Sequence, residues 1–310
     1  MSATAGLDPV YKQEIKATVL SFLEGCDAKY DTLPFDTKLW EACVERTRQK
    51  SYFLEPEEIP GKTTFCQSAK VGVVIVQTSY DHIEDLEVRV WLSLYTGFIV
   101  YADDTFQKDI GHLRSFSMTS LLNGRHEDPV LDSFGAFLRE VPLQFEHFVA
   151  NLIIATTLRF MMSCALEFEG QALAVSEDAR EYARHVRCMS GVADVYAVLA
   201  FPTSMPRAAY IQAFPEQLDF ICSANDVLSF YKEEAEHETT NYVSTRALCE
   251  HKTKLEVVKQ TTESTLANHQ RVLKILAPHP EALRAWESFA RGYCSFHCSS
   301  PRYRLGELFQ

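Results

Sequence analysis

Asn225-Asp226-Val227-Leu228-Ser229-Phe230-Tyr231-Lys232-Glu233 lies in a segment of helical periodicity and sets Asn225, Ser229 and Glu233 four residues apart. At about 3.6 residues per turn, positions i, i+4 and i+8 drift only slowly around a helix, so the three oxygen-bearing side chains share one face. An amide carbonyl, a hydroxyl and a carboxylate are hard ligands that suit Mg²⁺ and suit Zn²⁺ poorly. They span about 12 Å along the axis, so the long Glu233 must reach back toward Ser229. Asp226 and Lys232 flank the face with one charge of each sign. A single Asn, Ser or Glu more often belongs to a solvated stripe. Here the neighbours Val227, Leu228, Phe230 and Tyr231 are apolar or aromatic, and three oxygen donors embedded among them make a metal site the better reading.

The chain on either side reads as further helices. Apolar spacing predicts Tyr11–Phe22, with Pro9 near its start, and Leu39–Tyr52, capped at Asp36-Thr37 and ended before Pro56. Val71–Val76 has the β-branched density of a strand, but no strand partner exists elsewhere, so Ala69–Tyr80 reads as helix. Asp85–Ala102 is apolar on nearly every face, as befits the centre of a bundle, and runs straight into Asp103-Asp104. Asp132–Glu167 is one long stretch, kinked or broken at Pro142. Glu177–Ala200, Ala208–Glu236, Lys254–Leu276 and Glu281–Cys298 complete about ten helices, with Pro202, Pro206, Pro278 and Pro280 at the joints. Neither a repeat nor a linker composition appears. The expectation is a single all-α domain over residues 1–310, a helical bundle around an apolar cavity.

Composition narrows the function. Of 310 residues 46% are hydrophobic and 12% aromatic, ample for a core. Lys+Arg 30 against Asp+Glu 42 gives −12, which argues against a nucleic-acid surface. Nine cysteines without a CxxC pair suggest reduced thiols in a cytoplasmic protein. Cys294, His297 and Cys298 could face one another as a partial zinc site, but no fourth ligand is evident and core packing is the better account. Neither a secretory signal nor an apolar run of the roughly 20 residues a membrane span requires is visible.

Asp103 and Asp104 are costly together unless exposed or paired with a cation. Beside the Asn225–Glu233 face they suggest a second wall of one Mg²⁺-binding cavity. Mg²⁺ typically bridges protein oxygens and substrate phosphates. Arg187, Lys232 and the Arg302-Tyr303-Arg304 segment are the basic candidates for holding a diphosphate.

Asp103-Asp104, the phrase NDVLSFYKE at Asn225–Glu233, HVRCMSG around Arg187 and SSPRYRLGEL around Arg302-Tyr303 together resemble the class I terpene cyclases, and among them the fungal trichodiene synthase group. The resemblance runs from the helix before Asp103 to the C-terminus. It implies that Asp103 binds Mg²⁺, that Asn225, Ser229 and Glu233 bind a further Mg²⁺, and that three Mg²⁺ are held in all. It also implies that Arg187, Lys232, Arg302 and Tyr303 hold the diphosphate and that Asp104 pairs with Arg302. In such enzymes the Arg upstream of the Asn motif precedes a helix break, which Gly191 could supply here. One departure stands out: where the family has DDxxD or DDxxE, this chain has Gln107, with the next acid at Asp109.

The resemblance further implies a lyase acting on an isoprenyl diphosphate, with farnesyl diphosphate favoured and a nerolidyl then bisabolyl cation as intermediates. Alternatives are a synthase of monoterpenes or acyclic alcohols on geranyl or farnesyl diphosphate, and an inactive helical scaffold of the same fold. Tyr95 and Phe98, and with less support Phe65 and Phe296, are candidate cavity-wall rings, since aromatic faces stabilise cations. For each ring alone, core packing is the commoner role. A homodimer would be in keeping with the family.

Overall fold

The computed structural model describes residues 7–60, 62–105, 110–170 and 173–309. Fifteen α-helices and three short 3₁₀ turns account for the regular structure among these residues, with one isolated bridge between Ile59 and Lys62 and no strand. In chain order the helices begin with α1 (Pro9–Gly25), α2 (Thr37–Lys50), α3 (Phe65–Ser79), α4 (Leu86–Thr105), α5 (Gly111–Arg114), α6 (Phe116–Leu121), α7 (Pro129–Gln144) and α8 (His147–Gly170). They continue with α9 (Tyr182–Ser190), α10 (Ala193–Leu199), α11 (Phe214–Ala235), α12 (Tyr242–Glu250), α13 (Lys254–Leu276), α14 (Pro280–Ser299) and α15 (Gly306–Phe309). The described residues group into two compact units, each assembled from separate segments: 7–33, 173–188 and 206–309 in one, and 34–60, 62–105, 110–170 and 189–205 in the other.

In the unit that begins at residue 34, α3 and α4 lie against each other over their length. The approach is close because each helix has a glycine at the contact. A Cβ on Gly72 would stand 1.9 Å from the Ser93 carbonyl oxygen, and one on Gly97 would stand 2.7 Å from the Ala69 Cα. The β-branched run in α3 is helical, and its Val73, Ile75 and Val76 are buried. Thr64 and Gln67 close a capping box at its start. Inside the unit Phe98 stacks on Phe65 at 4.3 Å and on Phe134 at 4.8 Å between ring centroids, while the Tyr95 hydroxyl lies 3.0 Å from that of Thr157.

Three helix boundaries differ from those expected. The stretch Asp132–Glu167 is two helices, and the break is not at Pro142, which sits in the last turn of α7. The chain turns extended at Phe145, and Glu146 then caps α8 by accepting the Phe148 and Val149 amides at 2.9 and 3.2 Å. Glu177–Ala200 divides into α9 and α10. Ala208–Glu236 opens with two 3₁₀ turns before α11. The short helices α5, α6 and α12 were not anticipated, since four to nine residues are too few for a 3.6-residue period to register. A further correction concerns α8, whose 24 residues are long and apolar enough, by length and composition, to cross a membrane. In the fold its Ala150, Ile153, Thr157, Phe160 and Met161 are buried, and Arg159 at its middle pairs with Asp194 of α10.

In the other unit α11 packs along α13, which also meets α1, α12 and α14. The buried face of α13 is threonine-rich, and Thr261, Thr262 and Thr265 satisfy their hydroxyls on the carbonyls four residues back at 2.8, 2.9 and 2.6 Å. Farther along α13, His269 lies between Phe220 of α11 and Trp286 of α14, with its Nδ1 accepting the Trp286 indole N–H at 3.3 Å. Burial pushes the His269 imidazole down to about 4.

A histidine with a lowered folded-state pKa binds fewer protons folded than unfolded, so its contribution is intact above about 6.5 and lost as pH falls toward 4. Substituting His269→Gln is expected to remove about 3 kcal/mol of acid sensitivity across that window. The check is urea unfolding at a series of pH values, and an unchanged slope in the variant would refute it.

Candidate active site

α11 acquires its orientation from Phe220, Ala224, Val227, Leu228, Phe230 and Tyr231, all buried. Burying those side chains leaves Asn225, Ser229 and Glu233 along an adjoining face. The Ser229 hydroxyl donates to Glu233 Oε1 at 2.6 Å, so the glutamate does reach back one turn. Burial raises the Glu233 carboxyl to about 7, with the negative charges of Asp226 and Glu238 adding to the rise while the Ser229 hydroxyl and Lys232 oppose it.

Arg187 of α9 reaches α11 at three points. Its Nε donates to Asp226 Oδ1 at 2.6 Å, and Nη2 donates to the Cys222 carbonyl at 2.8 Å and to Asn225 Oδ1 at 3.1 Å. Both members of the ion pair are largely enclosed, with side chains 16% and 8% exposed. Burial lifts the Asp226 carboxyl to about 6 against the pull of Arg187. Burial also works against the Arg187 charge, but Asp226 outweighs it and holds the guanidinium protonated.

Asn225 is gripped from its other side. Its Nδ2 lies 3.1 Å from His297 Nε2 and 3.4 Å from the Tyr303 hydroxyl. His297 is fully buried in α14, its Nδ1 bonds the Tyr293 carbonyl at 2.7 Å, and burial together with the Arg187 charge depresses its pKa to about 3. The free thiol of Cys294 instead hydrogen-bonds that of Cys26, and Cys298 faces Asp31, so the three residues of the partial zinc motif turn to different partners.

Lys232 Nζ donates to Glu238 at 2.8 Å and lies 3.3 Å from Glu236. The positive charge of Arg302 acts on Lys232, which brings the two cations into one neighbourhood. Arg302 and Tyr303 sit in the 3₁₀ turn Pro301–Tyr303, which packs on α11 and α14. Tyr303 is buried against His297 and Phe296 at 4.2 and 5.4 Å between ring centroids. Of the candidate residues, this unit therefore gathers Arg187, Asn225, Ser229, Lys232, Glu233, Arg302, Tyr303 and Phe296.

Asp103, Asp104, Gly191 and the rings of Phe65, Tyr95 and Phe98 belong to the other unit. Asp103 and Asp104 lie in the last turn of α4, both half-buried, and the Asp103 charge helps raise the thiol pKa of Cys164 on α8. Gln107 and Asp109 fall outside the described residues. Phe65, Tyr95 and Phe98 are no more than 1% exposed and have the packing of core rings. α9 ends at Ser190, and Gly191 and Val192 separate it from α10. Val192, just after the glycine, is in the left-handed region at φ 37°. A β-branched residue in the left-handed region costs on the order of 1–3 kcal/mol.

Sequence reasoning missed two contributors. Asp226 appeared only as a flanking charge, and His297 as a doubtful zinc ligand. The signal for Asp226 was its adjacency to Asn225 in a buried helix. For His297 no local signal existed, because its partner is 72 residues away.

The fold is that of the class I terpene synthases. A linalool/nerolidol synthase from Streptomyces clavuligerus superposes with a TM-score of 0.62 at 14% identity, over 87% of this chain and 98% of its own. A hedycaryol synthase in complex with nerolidol gives 0.58 at 14% identity, over 86% and 97%. The trichodiene synthase (TRI5) family model matches residues 49–310, and the chain belongs to that family. It is 51% identical over 298 residues to alpha-cuprenene synthase COP6 of Coprinopsis cinerea, covering 96% of this chain and 91% of the relative. Longiborneol synthase CLM1 of Gibberella zeae is 28% identical over 249 residues, 78% of this chain and 73% of that one. The chain is accordingly a terpene synthase, a lyase acting on diphosphate esters.

Removing one member of the buried pair strands the other. Asp226→Ala is expected to cost about 3–5 kcal/mol, measured as the loss of unfolding free energy in urea. A loss below about 1 kcal/mol would show that solvent reaches Arg187 freely.

Proposed function

We propose that the chain is a Mg²⁺-dependent sesquiterpene synthase that ionises farnesyl diphosphate and cyclises the resulting cation by a nerolidyl and bisabolyl route to a cuprenyl-type hydrocarbon. The observation that carries the metal site is the set of oxygen donors along the buried helix α11, where Ser229 Oγ and Glu233 Oε1 already stand 2.6 Å apart. Amide, hydroxyl and carboxylate oxygens fit Mg²⁺ by type. The substrate assignment draws on the similarity to alpha-cuprenene synthase.

In this reading Asn225, Ser229 and Glu233 would hold one Mg²⁺, and Asp103 would be a Mg²⁺ ligand in its own unit, three ions being what the family resemblance implies. When bound, the metal supplies positive charge where the departing diphosphate becomes negative. The chain's own cations do the same work. Arg187, Lys232 and Arg302 would anchor the diphosphate and the Tyr303 hydroxyl would donate to it. The C1–O bond breaks, the electron pair leaves with the diphosphate, and an allylic cation remains. That cation has to be kept from water, which would capture it. No dedicated base is required, because the released diphosphate can accept the final proton. The reading treats residues 1–310 as one working domain, and the nine free thiols support a cytoplasmic setting.

The test is incubation of purified protein with geranyl, farnesyl and geranylgeranyl diphosphates, with Mg²⁺ or with EDTA, and gas chromatography–mass spectrometry of the extracts. A cyclic C15 hydrocarbon is expected from farnesyl diphosphate with Mg²⁺ only. Asn225→Ala and Glu233→Ala should each lower its yield by at least about a hundredfold. Products of C10 alone, or acyclic alcohols, would overturn the substrate or quenching assignment. No product from any substrate would overturn the enzyme reading.

A further inference from the structure

A primary amide can serve as an oxygen ligand only if it is held one way round, since it has a carbonyl oxygen on one side and two N–H donors on the other. Rotating Asn225 by half a turn would present N–H groups to a cation. The groups around it decide which way it faces. Arg187 Nη2, at 3.1 Å, can only donate and so selects Oδ1. On the opposite side the Tyr303 hydroxyl, at 3.4 Å, could donate or accept and selects nothing. His297 Nε2, at 3.1 Å, is different.

The Tyr293 carbonyl can only accept, and it lies 2.7 Å from His297 Nδ1, so Nδ1 carries the ring proton. In a neutral imidazole with Nδ1 protonated, Nε2 offers a lone pair alone; it accepts an N–H and repels a carbonyl oxygen. The ring cannot easily turn to escape this role. It is fully buried and enclosed by Tyr293, Phe296 and Tyr303, at 4.7, 4.9 and 4.2 Å between centroids.

We propose that His297 is the positioning residue of the metal site: locked in its Nδ1–H tautomer by the Tyr293 carbonyl, it fixes the Asn225 amide so that the carbonyl oxygen faces away from Nε2 and is kept for the cation. The inference rests on the reading of Asn225 as a Mg²⁺ ligand. Groups that orient a metal ligand from behind typically control about 10- to 100-fold in metal affinity.

Two measurements test it. Calorimetry of inorganic diphosphate binding, with and without Mg²⁺, is run on the wild type, Asn225→Ala, His297→Gln and His297→Leu. Nitrogen-15 spectra of histidine-labelled wild type report the tautomer directly. The glutamine carbonyl can take the place of Nε2 as acceptor, so His297→Gln should bind within about threefold of wild type, whereas His297→Leu should weaken Mg²⁺-dependent binding by about tenfold or more. The spectra should show a protonated Nδ1 and a bare Nε2. Mg²⁺-dependent binding that survives in Asn225→Ala, or is missing from the wild type, would overturn the metal-site reading and this inference with it. Wild-type affinity in His297→Leu, equal weakening in Leu and Gln, or a proton on Nε2 would overturn the positioning role alone. Should the Leu variant fail to fold, the tautomer and the Gln variant still decide.

Discussion

The ion pair between Arg187 and Asp226 is the constraint on which the candidate site depends. A guanidinium and a carboxylate 2.6 Å apart, both largely removed from water, tie α9 to α11 far more specifically than apolar packing could. The energetic logic is asymmetric: forming such a pair gains little over a well-packed apolar contact, while losing one partner is severe. Its value is placement. Held by Asp226 and the Cys222 carbonyl, the same guanidinium also reaches the Asn225 oxygen. One side chain thereby joins the group that would sense the diphosphate to a group that would bind the metal.

Around that pair the polar interior of the unit is arranged in order along α11. Asn225 lies between a donor on α9 and an acceptor on α14, Ser229 gives its proton to Glu233, and Lys232 is drawn to the carboxylates just beyond the helix end. Burial raises the carboxyls of Asp226 and Glu233 and lowers the imidazole of His297, so each perturbed group has the same first cause. Titratable groups perturbed in this way concentrate at functional sites more than elsewhere in proteins. The enclosed setting also strengthens every charge interaction within it, which suits a site meant to draw a diphosphate from its allylic carbon.

The all-α character, most helix spans and the oxygen-bearing face of α11 were legible in the sequence because each depends on spacing within a few turns. The strand-like Val71–Val76 run was resolved by the absence of partners, and its Gly72 admits α4 to within backbone contact. What escaped was non-local or too short. Arg187 and Asp226 are 39 residues apart and Asn225 and His297 are 72 apart, so no window of sequence contains either pair. The break between α7 and α8 fell at Phe145-Glu146 because a glutamate able to cap a new helix outweighed a proline placed where a helix was already ending. The break after α9 does fall at Gly191, which is followed by a left-handed Val192.

The most direct measurement of the account is a crystal structure of the protein with Mg²⁺ and inorganic diphosphate. One cation is expected, ligated by Asn225 Oδ1, Ser229 Oγ and the Glu233 carboxylate, with Arg187 on the diphosphate and Asn225 Nδ2 still directed at His297 Nε2. A cation bound without these three oxygens, or an Asn225 amide turned to present its nitrogen to the metal, would contradict it.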